Sequence, residues 1–230
     1  MNANSIRLVT FDCYGTLIDW ETGMLRSLRP LFSNHGHRAS DLQLLELYGE
    51  VEAEVESGAY IEYRQVLGRT VQEMGRRLNR QVSREQGQQF AQSLTEWEPF
   101  PDTVPALNRL ARRFKLGIIS NVDDDLFAAT QKKLQTPFEL IVTAQQVKSY
   151  KPSLRNFQEA LRRCGLKTEE VLHAGQSVYH DIVPASFLGI ANVWVNRPSL
   201  RPGSGAAKPA QAQPSAEVKN LAELADLLGC

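Results

Sequence analysis

Short apolar segments followed by polar residues recur along the chain. Each is too short to form a helix by itself, and helical periodicity fills most of the sequence between them. Short strands that alternate with helices are typical of a parallel sheet assembled from right-handed βαβ units. The predicted strands are 8–11, 115–120, 138–143, 171–175 and 191–195.

Residues 19–100 show helical periodicity without a strand signal. Ser40 and the capping box that begins at Ser83 are expected to start two of the four helices in this block. Pro30 is expected to kink or end the first of them. Because the block directly follows the first strand, we interpret it as an all-helical insertion.

We therefore predict a doubly wound, Rossmann-like α/β core formed by residues 1–18 and 101–230, with a helical cap domain at 19–100. Residues 197–214 are rich in Pro, Gly, Ala and Ser and are expected to form a loop. A stripe of aliphatic residues predicts a closing helix at 216–228.

Composition narrows the function classes. The chain has 230 residues, of which 42% are hydrophobic and 23% charged, so it can bury a sizeable core. Its formal net charge is zero, which gives no general attraction to nucleic acid or to an anionic membrane. The three cysteines show no CxxC spacing, and no apolar stretch approaches ~18 residues. We expect a cytoplasmic protein without nucleic-acid or membrane partners.

Polar side chains gather where the predicted parallel strands end. One such residue usually forms only a turn or a helix cap, but the carboxyl ends of parallel strands meet at one crevice. Residues from four places in the sequence converge there, so we expect them to form one functional site. The residues concerned are Asp12, Ser120, Asn121, Lys151, Ser177 and Asp181.

In order and spacing these residues resemble the motifs of the haloacid dehalogenase superfamily of hydrolases. The matching segments are Asp12 with Gly15 and Thr16, Ser120–Asn121, Lys151–Pro152, and Gly175–Ser177 with Asp181. The resemblance implies that Asp12 is a nucleophile that forms a covalent intermediate. It also implies that Thr16, Ser120 and Asn121 position the substrate and the carboxylate. Lys151 would stabilise the Asp12 anion.

Two positions distinguish branches of the superfamily. Phosphatases of the superfamily carry a second Asp where this chain has Tyr14, as the acid for an alkoxide leaving group. They also bind Mg²⁺ through an acidic residue where this chain has Gln176. A halide leaves without a proton and needs no metal. The sequence therefore most resembles the type II 2-haloacid dehalogenases, which convert a 2-haloacid to a 2-hydroxy acid.

The chain departs from that branch at its expected substrate contacts. The family's cap arginine aligns near Tyr48–Glu50, its tyrosine with Phe157, and its asparagine with Val178. Arg38 or Arg64 is a candidate substitute for the arginine. The predicted substrate-binding residues are Tyr14, Trp20, Tyr63, Arg64 and Ser177. Trp20 and Tyr63 are equally compatible with simple packing between helices.

Two further polar groups have simpler interpretations. His180 is expected to lie at a helix start or on the surface. The run Asp123–Asp125 is expected to begin a helix and complement its dipole.

The resemblance implies a small-molecule substrate and no cofactor, and it allows a homodimer. One alternative is a phosphatase that binds Mg²⁺ through Asp12 and Asp181. Another is a catalytically inactive member of the superfamily that acts as a binding protein.

Overall fold

The computed structural model describes residues 3–32 and 39–230. Across these residues, six parallel strands form a single sheet in the order β3-β2-β1-β4-β5-β6. Most strand residues are buried, as expected for a parallel sheet covered on both faces. The predicted α/β class is confirmed. The strands are β1 (Leu8–Phe11), β2 (Lys115–Ser120), β3 (Leu140–Thr143), β4 (Val171–Gly175), β5 (Ala191–Val195) and β6 (Ala216–Val218).

The helical segment between β1 and β2 begins at Trp20. Ser40 and Ser83 both form the capping boxes expected from the sequence. Pro30 lies in the last turn of the first helix, which ends at Phe32. The helices are α1 (Trp20–Phe32), α2 (Asp41–Glu56), α3 (Tyr63–Arg77) and α4 (Arg84–Ser93), and a 3-10 turn at Leu94–Glu96 follows α4.

The remaining helices connect the strands of the sheet. A π-helical turn at Val178–Ile182 follows β4, and the sequence did not predict this turn. None of the helices in the part of the chain that is described has the length and apolar character needed to cross a membrane. These helices are α5 (Thr103–Leu110), α6 (Asp124–Leu134), α7 (Ala144–Val147), α8 (Leu154–Cys164), α9 (Val183–Phe187) and α10 (Leu221–Leu227).

The prediction of one helix over 216–228 is wrong at its start. Residues Ala216–Val218 form β6, which pairs in parallel with β5, and α10 begins only at Leu221. Val218 is buried in either arrangement, so the hydrophobic pattern does not distinguish them. The backbone groups at the edge of β5 need hydrogen-bond partners, and β6 provides them. The Asn220 side chain then caps α10 by accepting a hydrogen bond from the Glu223 N–H.

The segment that leads from the sheet into the cap helices and the segment that leads back lie side by side. Ile18 and Pro99 form an antiparallel bridge, and the Phe100 N–H donates to the Leu17 carbonyl over 3.1 Å. The Arg197 guanidinium donates to the Thr16 carbonyl at 2.9 Å and pairs with Asp102 at 2.7 Å. These contacts fasten the entrance and exit of the cap segment to each other.

A second set of contacts joins the cap helices to the core farther from these connections. The buried Asp123 carboxylate accepts from the backbone N–H groups of Tyr63 and Arg64, at 2.8 and 2.9 Å. It thereby caps α3 from the side of the sheet, which explains why that helix begins at Tyr63. In the predicted loop 197–214, Arg201 donates to the Leu45 carbonyl of α2 at 3.3 Å.

Replacing Asp123 with Ala is expected to lower the free energy of unfolding by about 1–3 kcal/mol, because two buried N–H groups lose their acceptor. Urea denaturation measures the change. Asp125→Ala is the matched control, since Asp125 is exposed and pairs with Arg64 at the surface. That substitution is expected to change the unfolding free energy by about 0.5 kcal/mol or less. Equal effects of the two substitutions would contradict the role assigned to Asp123.

Candidate active site

The site lies where the strand order reverses, between β1 and β4. This position is the crevice in which doubly wound sheets bind ligands. Asp12 follows β1 and is held by its backbone N–H, which donates to the Ala174 carbonyl at 3.0 Å. The chain then turns at Gly15, whose φ of +92° favours glycine and whose missing Cβ leaves room for the Trp20 ring.

Lys151 joins the two carboxylates of the site. Its Nζ donates to Asp12 Oδ1 at 2.8 Å, to Asp181 Oδ1 at 2.6 Å and to the Ile119 carbonyl at 2.9 Å. The lysine and Asp181 are almost fully buried, and Asp12 is only slightly exposed. An ammonium group has three N–H donors, so all of them are used.

The three charges shift one another's pKa values. Burial raises the pKa of Asp12, and the Lys151 charge opposes that shift. Burial would also raise the pKa of Asp181, but Lys151 and His173 outweigh it and hold that pKa well below the usual range. Burial would lower the pKa of Lys151, yet the two carboxylates raise it to about 12. The lysine therefore stays charged, and Asp12 is the more basic carboxylate of the pair.

Polar neighbours fix both carboxylates in place. The Thr16 hydroxyl donates to Asp12 Oδ2 at 2.9 Å and accepts from the Gln176 N–H at 2.9 Å. Asp181 Oδ1 lies 3.2 Å from His173 Nε2, and its Oδ2 accepts from the Ser177 N–H at 3.3 Å. The carboxylates are thus held in defined orientations before any substrate binds.

Asn121 positions the lysine through its backbone. The Lys151 N–H donates to Asn121 Oδ1 at 2.7 Å, and Asn121 Nδ2 donates to the Lys151 carbonyl at 3.1 Å. Ser120 is buried beside them, and its Oγ has no hydrogen-bond partner. A buried hydroxyl without a partner is free to bind a substrate.

A cavity of about 30 Å³ opens beside Asp12, enough for one or two water molecules. Most of the predicted site residues meet there, while Thr16 lies behind Asp12. The lining residues are Asp12, Tyr14, Trp20, Glu52, Glu56, Tyr63, Ser120, Asn121, Lys151, Gln176, Ser177, His180 and Asp181.

Arg64 does not join the other predicted substrate-binding residues. Its guanidinium pairs with Asp125 and with Asp123, which directs it away from the cavity toward the surface of the core. Arg38 lies outside the described residues. Arg64 therefore supplies no positive charge to the cavity.

The sequence analysis missed two cap residues, Glu52 and Glu56. They lie one turn apart on α2 and face the cavity. The available signal was their position, because Glu52 and Glu56 fall on the same face of α2 as the buried aliphatic residues. Two acids on the apolar face of a helix are uncommon. His180, expected at a helix start or on the surface, also lines the cavity from the π-helical turn.

Three of these lining residues have strongly shifted pKa values. Burial raises the pKa of Glu52 to about 7, although the hydroxyls of Tyr48 and Tyr63 both donate to its Oε1. Burial and the nearby Glu52 raise the pKa of Glu56 well above its usual value. Burial lowers the pKa of His180 to about 4. The cavity therefore holds two carboxyl groups from α2 and a neutral imidazole from the turn that follows β4.

A magnesium ion fits this donor set poorly. The space between Asp12 and Asp181 is occupied by the Lys151 ammonium group, which already neutralises part of their charge. The position that would supply a further acidic ligand carries Gln176, whose amide is neutral.

Comparison with known proteins finds relatives that match this chain over different shares of its length. The (S)-2-haloacid dehalogenase of Pseudomonas fluorescens is 26% identical over 227 residues, which are 97% of each chain. The glyceraldehyde 3-phosphate phosphatase of Methanothermobacter thermautotrophicus is 34% identical over 103 residues, covering 43% of this chain and 45% of the phosphatase. The resemblance to the 2-haloacid dehalogenases thus spans the chain.

A solved structure shares the whole fold. The L-2-haloacid dehalogenase from Xanthobacter autotrophicus, with chloropropionic acid covalently bound, superposes with a TM-score of 0.81 at 18% identity and covers 97% of this chain and 98% of its own. The family model described as haloacid dehalogenase-like hydrolase matches residues 6–189. The chain therefore belongs to the haloacid dehalogenase-like hydrolases.

Proposed function

We propose that this hydrolase removes halide from a short 2-haloacid without a metal ion, through an ester formed on Asp12. The observation that carries the proposal is the Lys151 ammonium group between Asp12 and Asp181, at 2.8 and 2.6 Å. When a phosphoryl group must approach a carboxylate, a metal ion supplies the positive charge that makes this possible. Here the Lys151 ammonium group supplies a positive charge at that place.

The surroundings of Tyr14 are consistent with a halide as the leaving group. Its hydroxyl lies 2.9 Å from Thr130 Oγ1, and burial raises its pKa well above the usual value. Tyr14 is therefore a poor proton donor for an alkoxide. A halide departs as a stable anion and needs no such donor.

The reaction proceeds in two displacements. An Asp12 carboxylate oxygen attacks the carbon that bears the halogen, the carbon–halogen bond breaks, and halide leaves with its electron pair. Water then attacks the carbonyl carbon of the resulting Asp12 ester, which breaks the bond between that carbon and the alkoxide oxygen. The alkoxide takes up a proton and leaves as the 2-hydroxy acid, while Asp12 is restored and one proton is released overall.

Substrate entry requires the cap helices to move. A cavity of about 30 Å³ holds only one or two water molecules, so a haloacid needs more room than this closed arrangement leaves. The paired connections at Leu17 and Phe100 provide the point about which the cap can separate from the core.

We expect 2-chloropropionate to release chloride at a rate that EDTA leaves unchanged, and Asp12→Asn to reduce that rate by at least about a thousandfold, since the nucleophile is removed. A single turnover in oxygen-18 water should place the label in Asp12 and not in the product, because the product oxygen comes from the carboxylate. Mass spectrometry of the peptide and of the product measures this.

The alternatives give other results. Magnesium-dependent release of phosphate from p-nitrophenyl phosphate, without chloride release, would establish the phosphatase. A lack of both activities over a broad substrate panel would favour an inactive binding protein.

Lys151→Met is expected to lower the free energy of unfolding by about 3–5 kcal/mol at neutral pH, because two buried carboxylates lose their cation. The difference from the unmodified protein should shrink as the pH falls, since protonation of Asp12 and Asp181 then removes the unpaired charges. Lys115→Met is the control, because Lys115 forms an exposed pair with Glu139. Urea denaturation over a pH series measures both, and a difference that is independent of pH would contradict the argument.

A further inference from the structure

The proposed reaction requires the cavity to bind a carboxylate, yet its single ammonium group is already engaged. All three N–H donors of Lys151 are used by Asp12, Asp181 and the Ile119 carbonyl. Among the described residues that line the cavity, no other lysine and no arginine is present. The substrate carboxylate therefore needs a neutral hydrogen-bond donor.

Glu56 occupies the place where such a donor is missing. Its side chain is 7% exposed, and both of its carboxyl oxygens lie 3.4 Å from Asn121 Nδ2. Its nearest ion-pairing group in the described structure is His180 Nε2 at 3.8 Å, and that nitrogen has no hydrogen-bond partner. A buried carboxyl group without a cationic partner is more stable when protonated.

The groups around Glu52 and Glu56 determine which of these two acids carries a proton. Tyr48 and Tyr63 both donate to Glu52, at 2.7 and 2.8 Å, which favours the ionised form of that residue. A negative charge on Glu52, one helical turn away, then favours the neutral form of Glu56.

The other titratable groups around Glu56 do not replace it as the proton carrier near neutral pH. Lys151 keeps its proton, and Tyr150 has a raised pKa because burial and the nearby Glu56 disfavour its ionised form. His180 is neutral because burial lowers its pKa to about 4. Asp12 and Asp181 both contact the Lys151 ammonium group.

We propose that Glu56, in its neutral form, donates a hydrogen bond to the carboxylate of the substrate, so that at a pH where free Glu56 is ionised the substrate binds together with a proton. The inference rests on the proposed dehalogenation and specifies how the same cavity recognises an anion. The unpartnered Ser120 hydroxyl is a second donor for the same carboxylate. Hydrogen bonds between a neutral acid and a carboxylate are short and strong.

Binding of racemic lactate, the 2-hydroxy acid formed from 2-chloropropionate, tests the proposal independently of catalysis. Isothermal titration calorimetry in two buffers of different ionisation enthalpy gives the protons taken up on binding. Where free Glu56 is ionised, we expect uptake of about one proton and a Kd that weakens about tenfold for each pH unit.

Glu56→Gln should abolish both the proton uptake and the pH dependence, and weaken binding at acidic pH about tenfold, because an amide is a weaker donor than a neutral acid. Glu54→Gln is the matched control on the same helix, since Glu54 is exposed and pairs with Arg77. It should behave as the unmodified protein does. Circular dichroism and thermal melting establish that each variant is folded.

Three results would overturn the inference: lactate binding without proton uptake at a pH where free Glu56 is ionised, unchanged pH dependence in Glu56→Gln, or binding of lactamide that strengthens as the pH rises. The last result would show that ionised Glu56 accepts from a donor on the ligand. Chloride release distinguishes this failure from failure of the proposed function. Lactate binding with proton uptake but no chloride release would uphold the carboxylate site and refute the dehalogenase.

Discussion

The active site depends on one buried ammonium group placed between two carboxylates. Each of these carboxylates alone would be costly to bury, and removal of Lys151 would leave both of them without a cation. The arrangement holds both carboxylates beside the cavity, and His173 also orients Asp181. A charge provided by a side chain cannot be lost to a chelator, so the fold itself supplies the cation beside Asp12.

The hydrophobic pattern predicted the sheet well because parallel strands buried on both faces read as continuous apolar runs. Five of the six described strands were predicted in this way. The sixth, β6, was not, because Ala216–Val218 is short and its single buried valine fits a helical stripe as well as a strand. Its conformation is determined by the unpaired edge of β5, which is a tertiary effect.

The core part of the site was predictable for a similar reason. Asp12, Ser120 and Asp181 follow strands, and topology alone brings strand ends together. The cap part was not predictable in this way, since the placement of Glu52 and Glu56 over the cavity depends on how α2 packs against the core. Arg64 illustrates the same limit, because the acids of α6 that bind it are distant from it in sequence.

The paired crossings at Ile18 and Pro99 have an evolutionary consequence. The cap segment leaves and re-enters the core at nearly one point, and Arg197 fastens that point from the core side. An inserted segment attached in this way can be lengthened, repacked or exchanged without changing the register of the sheet. Selection can therefore alter the cap residues that line the cavity while Asp12 and Lys151 stay in place, so a hydrolase scaffold of this kind can change its specificity through the insertion alone.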